Sequence, residues 1–146
     1  MNRRQVVAVL ALLGALDATY LLLGKLGVIG GLECSISHGC DRVNTSSYSD
    51  FLGLPVAGIG LVGYLALFAI AVIGQQPRWI GERWPDGLLA LVSGVAVAFT
   101  LYLTYAEIFI LDAICQWCVV SQITILAVFV LALVGLKKEA SGEQRT

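Results

Sequence analysis

Long apolar segments dominate the pattern of hydrophobic and polar positions along this chain. A helix needs about 20 consecutive apolar residues to cross the hydrocarbon core of a bilayer. Four segments approach or exceed this length: 6–23, 54–73, 88–111 and 114–136. None shows the alternation of period two that is typical of a barrel strand. The pattern predicts an all-α membrane protein with a four-transmembrane-helix bundle, as one domain over 1–138 followed by a polar tail at 139–146.

The composition agrees with this fold class and excludes several functions. The chain has 146 residues, of which 58% are hydrophobic and 13% are charged, and its mean hydropathy is +0.87. Soluble domains carry about 25% charged residues, so a soluble enzyme is disfavoured. Nine basic and ten acidic residues provide no basic surface for a polyanion. We therefore expect the lipid bilayer as the environment and no nucleic acid as a partner.

The distribution of Lys and Arg predicts the orientation in the membrane. Short cytoplasmic loops carry an excess of these residues. With a cytoplasmic N-terminus, the cytoplasmic side receives seven of the nine: Arg3, Arg4, Arg78, Arg83, Lys137, Lys138 and Arg145. Only Lys25 and Arg42 fall on the other side. We expect a multi-pass protein of the cell (plasma) membrane with both termini cytoplasmic, and an extracytoplasmic loop at 24–53 between the first two helices.

Cys115 and Cys118 form a C-x-x-C motif at the start of the fourth span. Residues three apart lie on the same side of a helix, so the two sulfurs can form a disulfide across one turn. The positive end of the helix dipole stabilises a thiolate there, and thiolate is the attacking species in disulfide exchange. The motif favours a redox-active pair, which this topology places at the extracytoplasmic face.

Cys34 and Cys40 form a second pair in the outer loop, with the spacing C-x5-C. A flexible loop can carry such a disulfide between an external partner and the buried pair. Two alternatives remain open from the residues alone. The four cysteines can form structural disulfides in a non-enzymatic channel or assembly subunit, or a zinc site assisted by His38. C-x5-C is a poor half-site for zinc, so we expect no metal.

Several further motifs accompany the cysteines between residues 16 and 125. They are Tyr20-Leu21, Cys40-Asp41-Arg42-Val43, Leu52-Gly53-Leu54-Pro55-Val56, Tyr64, and Tyr102-Leu103-Thr104-Tyr105-Ala106-Glu107. With the four spans and Cys115-Gln116-Trp117-Cys118, this combination resembles the vitamin K epoxide reductase family. The resemblance is to the bacterial or archaeal type, here without a fused thioredoxin-like domain.

The resemblance implies a membrane thiol–disulfide oxidoreductase coupled to a quinone, either ubiquinone or menaquinone. Cys115 and Cys118 would be the reaction pair, with Cys118 nearest the ring. Cys34 and Cys40 would be the shuttle pair, and Cys34 would exchange with a separate thioredoxin-like (DsbA-type) protein. A DsbB-type quinone reductase also has four spans and two cysteine pairs, but its C-x-x-C lies in the first outer loop.

The resemblance also implies two residues near the quinone. Ser46 stands where the family has a loop serine. Gln122 stands where vertebrate relatives carry a tyrosine that helps to hold the substrate. This departure puts the reduction of vitamin K epoxide in question, whereas it leaves the thiol–quinone chemistry unaffected.

Reduction of a quinone needs groups that transfer protons and a pocket for a flat ring, so the acids and aromatic residues of the spans are candidates for the site. Asp17 and Glu107 are candidates for a proton relay, since carboxyls within membrane spans are functional candidates by default. Five aromatic residues are candidates for a pocket that binds a flat ring: Phe51, Tyr64, Phe68, Tyr102 and Tyr105. Gly58, Gly60 and Gly63 predict a close approach of the second helix to a neighbour.

Overall fold

A computed structural model describes residues 3–26, 50–51, 53–79, 82–110, 112 and 116–140. Its helices are α1 (Arg3–Lys25), α2 (Val56–Gly74), α3 (Trp84–Tyr105) and α4 (Gln116–Ala140), and α3 continues into a π-helix, Ala106–Ile110. All four are long and apolar enough to cross a membrane. The predicted all-α bundle of four membrane helices is therefore confirmed.

The helices form a ring in which α1 packs against α2 and α4, and α3 packs against the same two neighbours. Successive helices run in opposite directions, so the end of α1, the start of α2, the end of α3 and the start of α4 lie together. The Tyr20 ring meets the Trp117 ring edge-on there, with centroids 5.2 Å apart. We call this the cysteine end because Cys118 lies there in the first turn of α4, and we call the opposite end the arginine end.

The tightest contact between α1 and α2 depends on small residues of α1. Ala11, Ala15 and Ala18 recur at helical spacing and are buried, which lets α2 approach closely. A Cβ atom on Gly14 would lie 2.2 Å from Cε1 of Tyr64. The Tyr64 ring therefore covers the backbone of α1 at Gly14, where no other residue type fits without a shift.

The glycines of α2 do not have the role that the sequence predicted. A Cβ on Gly58 would meet only a Leu22 methyl group, at 3.8 Å, and nothing lies within 4 Å of such an atom on Gly60 or Gly63. The prediction of close helix packing at these positions is wrong. The missing side chains of Gly60 and Gly63 instead leave open space inside the bundle.

A short antiparallel ribbon precedes α2, with strands β1 (Asp50–Phe51) and β2 (Leu54–Pro55). Asp50 pairs with Pro55, and Gly53 between the strands has φ of 82°, a conformation that glycine adopts without steric cost. For this stretch the sequence predicts the end of the outer loop, up to residue 53, and the start of the second span at residue 54. Most of the rest of that loop, including Cys34, His38, Cys40 and Ser46, lies outside the described residues.

The start of α3 lies at Trp84, four residues before the predicted span at 88. The helix includes Asp86, whose residue is 0% exposed and whose carboxylate Oδ2 lies 2.9 Å from guanidinium nitrogens of both Arg3 and Arg4. Arg4 also donates hydrogen bonds to the backbone carbonyl oxygens of Gly74, Trp79 and Glu82. This cluster joins α1, α2, α3 and the α2–α3 loop at the arginine end.

Candidate functional site beside Cys118

A cavity of about 380 Å³ opens inside the bundle and receives side chains from all four helices. Its wall includes Ala18 and Leu21 of α1; Val56, Ala57, Ile59, Gly60, Gly63, Tyr64 and Leu67 of α2; Val92, Val95, Ala96, Phe99, Thr100, Leu103 and Thr104 of α3; Ala106 and Glu107 of the π-helix; and Cys118, Ser121, Gln122 and Ile125 of α4. Most of these side chains are apolar, so the cavity suits a hydrophobic ligand.

The cavity is long, and its polar groups lie toward one end. Along α3 and the π-helix its wall extends from Val92 to Glu107, about 22 Å at a rise of 1.5 Å per residue. The part near Val92 is apolar, whereas Thr104, Glu107 and Cys118 lie at the cysteine end. A ligand with a polar ring and an apolar tail would match this distribution.

Cys118 lies in the first turn of α4, is partly buried and contributes to the cavity wall. The unpaired backbone N–H groups and the positive dipole end of a helix favour negative charge at such a position. A thiolate of Cys118 would therefore face an apolar cavity from an electrostatically favourable site. Cys115, immediately before α4, lies outside the described residues, as do Cys34, Cys40 and Ser46.

Tyr64 and Ser121 form a pair of hydroxyl groups on the cavity wall. The Tyr64 hydroxyl lies 2.8 Å from the backbone carbonyl oxygen of Ser121, to which it donates, and 2.8 Å from the Ser121 hydroxyl oxygen. Ser121 follows Cys118 by three positions on α4, so its side chain lies on the same face one turn further along. The pair links α2 to α4 directly beside the cysteine.

Gln122 is held against α3 by Thr104. The Thr104 hydroxyl lies within hydrogen-bond distance of the side-chain amide of Gln122 and 2.9 Å from the carbonyl oxygen of Thr100. A hydroxyl has a single proton, so it donates to one of these groups at a time. Both Thr104 and Gln122 line the cavity, and their contact fixes a polar amide at its wall.

The two acids of the spans occupy different positions. Glu107 is 5% exposed and lines the cavity from the π-helix, a distortion that is frequent at functional sites. Asp17 is 9% exposed, and neither of its carboxyl oxygens has a hydrogen-bond partner among the described residues. It does not line the cavity, whereas Ala18 and Leu21 of the same helix do.

Three of the aromatic candidates do not reach the cavity. Phe68 packs partly buried against the hydrophobic core. Tyr102 and Tyr105 are 48% and 56% exposed, on the outer face of α3, and they contact the rings of Phe99 and Phe109. Tyr64 does line the cavity. For Phe51, the structure describes the backbone strand but not the side chain.

Sequence reasoning had given no role to Thr104 or Ser121, although a signal was present for both. Ser121 follows Cys118 by three residues, and Thr104 precedes Glu107 by three, so each shares a helix face with a residue already proposed for the site. Within the described ranges, no three His, Cys, Asp or Glu side chains come together in a way that suits a metal ion.

Comparison with known families covers nearly the whole chain. A family model described as the vitamin K epoxide reductase family matches residues 5–133. The matched range contains all four cysteines and every residue of the cavity wall. It also includes the Asp86 cluster, apart from Arg3 and Arg4.

Proposed function

Because the chain belongs to the vitamin K epoxide reductase family, and is therefore a membrane redox enzyme in general terms, we propose that it is a thiol–disulfide oxidoreductase that reduces a quinone. The observation that carries this proposal is the contact of Cys118 with a long apolar cavity. A redox-active sulfur on the wall of a lipid-like cavity suits electron transfer to a lipid-soluble acceptor.

The cavity has the dimensions and polarity for the ring and the first isoprenoid units of ubiquinone or menaquinone. Its volume of about 380 Å³ falls within the usual range for small-ligand sites. The amide of Gln122 and the hydroxyl groups of Tyr64 and Ser121 supply hydrogen-bonding groups for the ring carbonyls at the cysteine end. The apolar wall toward Val92 would receive the tail.

The proposed electron path runs from a separate thioredoxin-like protein to the quinone. The partner's dithiol reduces the Cys34–Cys40 disulfide, and the resulting thiols reduce the Cys115–Cys118 disulfide, each by thiolate attack through a mixed disulfide. The Cys115 and Cys118 thiols then give two electrons and two protons to the quinone, which becomes a quinol as their disulfide re-forms. The net result is a new disulfide in the partner, so the reaction supports disulfide-bond formation.

We also propose the predicted orientation in the cell membrane, with cytoplasmic termini and extracytoplasmic cysteines. Arg3, Arg4, Arg78, Arg83 and Lys137 all lie at the arginine end of the bundle by the order of the helices, away from Cys118. Cytoplasmic segments are rich in such residues, and disulfides persist in oxidising compartments outside the cytoplasm. Both arguments support an outward-facing cysteine end.

The proposal is tested with the full chain reconstituted in lipid nanodiscs. The protein is mixed with a reduced DsbA-type protein and a short-chain ubiquinone or menaquinone, and quinol formation is followed by ultraviolet absorbance while thiols are titrated. We expect one quinol for every two thiols lost. Absence of quinol formation with both quinones, or quinol formation without loss of thiols, would contradict the proposed reaction.

Filling the cavity at Gly63 is expected to weaken quinone binding. Gly63 lines the cavity and has open space where a Cβ atom would lie, so Gly63→Leu adds a side chain without a backbone clash. We expect the KM for the quinone to rise at least about tenfold, a loss of about 1.4 kcal/mol of binding. Thiol exchange with the partner protein should proceed at the original rate.

The matched control for this prediction is Val62→Leu, at the neighbouring position. Val62 is 68% exposed on the outer face of α2 and does not line the cavity. This variant should keep the original KM. If Gly63→Leu also leaves the KM for the quinone unchanged, the ligand does not occupy this cavity.

A further inference from the structure

The reduction of a quinone inside this cavity requires a path for protons as well as for electrons. The thiol of Cys118 loses a proton and the ring oxygens gain protons, yet most of the wall is apolar and offers no group that exchanges them. The protic side chains of the described wall are therefore the candidates for this transfer. They are Tyr64, Thr100, Thr104, Glu107 and Ser121, besides Cys118 itself.

The Tyr64–Ser121 pair is the best placed of these groups. Its two oxygens lie 2.8 Å apart, which is the usual distance for a hydrogen bond between hydroxyls, and Ser121 is one helical turn from Cys118. Among the described residues, the hydroxyls of Thr100 and Thr104 contact only carbonyl oxygens of α3 and the Gln122 amide, so neither is hydrogen-bonded to a second hydroxyl group. The Tyr64 proton also points to the Ser121 carbonyl oxygen, and it turns from that oxygen toward the ring when the quinone is bound. The pair thus connects the neighbourhood of the sulfur on α4 to the opposite wall on α2.

Asp17 lies behind Tyr64 on the α1 side. The Tyr64 ring covers Gly14, and Asp17 follows Gly14 by three positions, so it lies on the same face of α1 one turn nearer the cysteine end. The carboxyl and the phenol are within range of electrostatic interaction. An isolated carboxyl without a hydrogen-bond partner is costly in an apolar interior, and no structural contact in the described residues accounts for its presence.

We propose that the hydroxyl groups of Ser121 and Tyr64 form the proton conduit of the cavity, with Asp17 as a positioning residue whose carboxyl acts on Tyr64 through space and takes no part in the transfer itself. This inference rests on the proposed quinone reduction. The proton that leaves the Cys118 thiol passes to the Ser121 hydroxyl as Ser121 passes its own to Tyr64 and Tyr64 protonates one ring oxygen. The second proton comes from the Cys115 thiol. The two thiols lose two electrons to the quinone, and both hydroxyl groups end in their original state.

The test measures steady-state quinone reduction by Tyr64→Phe and Ser121→Ala in nanodiscs. Tyr64→Phe keeps the ring over Gly14 and removes only the hydroxyl, and Ser121→Ala provides an independent variant. Positioned proton transfer contributes about 100-fold or more to a rate, so we expect kcat to fall by about this factor in each variant. The KM for the quinone should rise by at most about tenfold, the usual cost of one lost hydrogen bond. Thiol exchange between the partner and the enzyme's disulfides should keep its rate.

Asp17→Asn preserves the shape of the side chain and removes its ionisable group. We expect kcat to fall at least about tenfold, because the carboxyl no longer acts electrostatically on the Tyr64 hydroxyl that passes the proton. The solvent deuterium isotope effect on kcat should increase in this variant, because proton transfer becomes more strongly rate-limiting. If the role of Asp17 were purely structural, Asp17→Asn would lower the melting temperature of the protein and leave this isotope effect unchanged.

Thr124→Val is the matched control, since it removes a hydroxyl of α4 that donates to the carbonyl oxygen of Val120 and does not line the cavity, and it should keep the original kcat. An unchanged kcat in both Tyr64→Phe and Ser121→Ala would contradict the proposed proton conduit. A third variant, Glu107→Gln, tests the other protic side chain of the wall, and a fall in kcat in this variant alone would also contradict the conduit. An unchanged kcat and isotope effect in Asp17→Asn would overturn the role of Asp17. These failures are distinct from failure of the proposed function, which would show as absence of quinone reduction in the unaltered protein.

Discussion

Cys118→Ala is expected to abolish quinone reduction, with a fall in kcat of at least about 1,000-fold. Cys118 provides the only sulfur that the described residues bring to the cavity wall. Without it the thiol pair cannot close a disulfide, so no two-electron donor remains beside the ring. Alanine favours helix formation and is smaller than cysteine, so the first turn of α4 and the cavity should persist.

A binding measurement distinguishes loss of the electron-donating sulfur from loss of the quinone-binding cavity, because only the second would abolish binding. We expect Cys118→Ala to bind the quinone with the affinity of the original protein, measured by quenching of tryptophan fluorescence, since Trp117 adjoins Cys118 in the chain. Val119→Ala is the matched control: Val119 adjoins Cys118 in the chain, is 38% exposed and does not line the cavity. If Cys118→Ala reduced the quinone at the original rate, the sulfur of Cys118 would not be part of the electron path.

The four helices could be predicted from the sequence because each requires a long apolar segment. The segments at 6–23, 54–73 and 114–136 lie within three residues of the start of α1, α2 and α4. α3 starts four residues before the apolar segment at 88 because a pattern of apolar residues alone stops at the polar Asp86. Trp84-Pro85-Asp86 nonetheless has the marks of a helix start, with proline in the first turn and an acidic residue near the positive dipole end.

The residues of the site were harder to predict because residue type alone does not show toward which side of its helix a side chain points. Successive residues of an α-helix are rotated by about 100°, so Tyr105 and Glu107 point in nearly opposite directions. Glu107 faces the cavity, and Tyr105 accordingly faces outward. On α4 the same rule groups Cys118, Ser121 and Gln122, all of which line the cavity. Helical phase would therefore have identified Ser121 and rejected Tyr105.

The arginine cluster could not have been predicted from local patterns. Arg3 and Arg4 precede an apolar segment, which is the usual place of residues that orient a membrane protein, and nothing nearby in the sequence suggests that they are buried. Their partner Asp86 lies more than eighty positions away. Only the alternating direction of successive helices, which places the starts of α1 and α3 at the same end of the bundle, brings these charges together.

Asp86→Asn is expected to lower the free energy of unfolding by about 3–5 kcal/mol, the usual cost of removing one partner of a buried ion pair. The side chains of Arg3, Arg4 and Asp86 are 12%, 7% and 1% exposed. Asparagine would leave two guanidinium groups buried without a counter-charge. The carbonyl oxygens of Gly74, Trp79 and Glu82 would still accept hydrogen bonds from Arg4, but they carry no full charge. Unfolding is followed by circular dichroism during titration with a denaturing detergent.

Glu82→Gln is the matched control, because it removes one negative charge four positions away, from an exposed side chain, and leaves the backbone carbonyl that Arg4 uses. Exposed ion pairs contribute between 0 and about 1 kcal/mol, so this variant should unfold at nearly the original detergent concentration. Since Asp86 lies at the opposite end of the bundle from Cys118, Asp86→Asn should retain quinone reduction at temperatures where it remains folded. Equal stability of Asp86→Asn and Glu82→Gln would mean that water reaches the cluster and that its charges do not hold α1, α2 and α3 together.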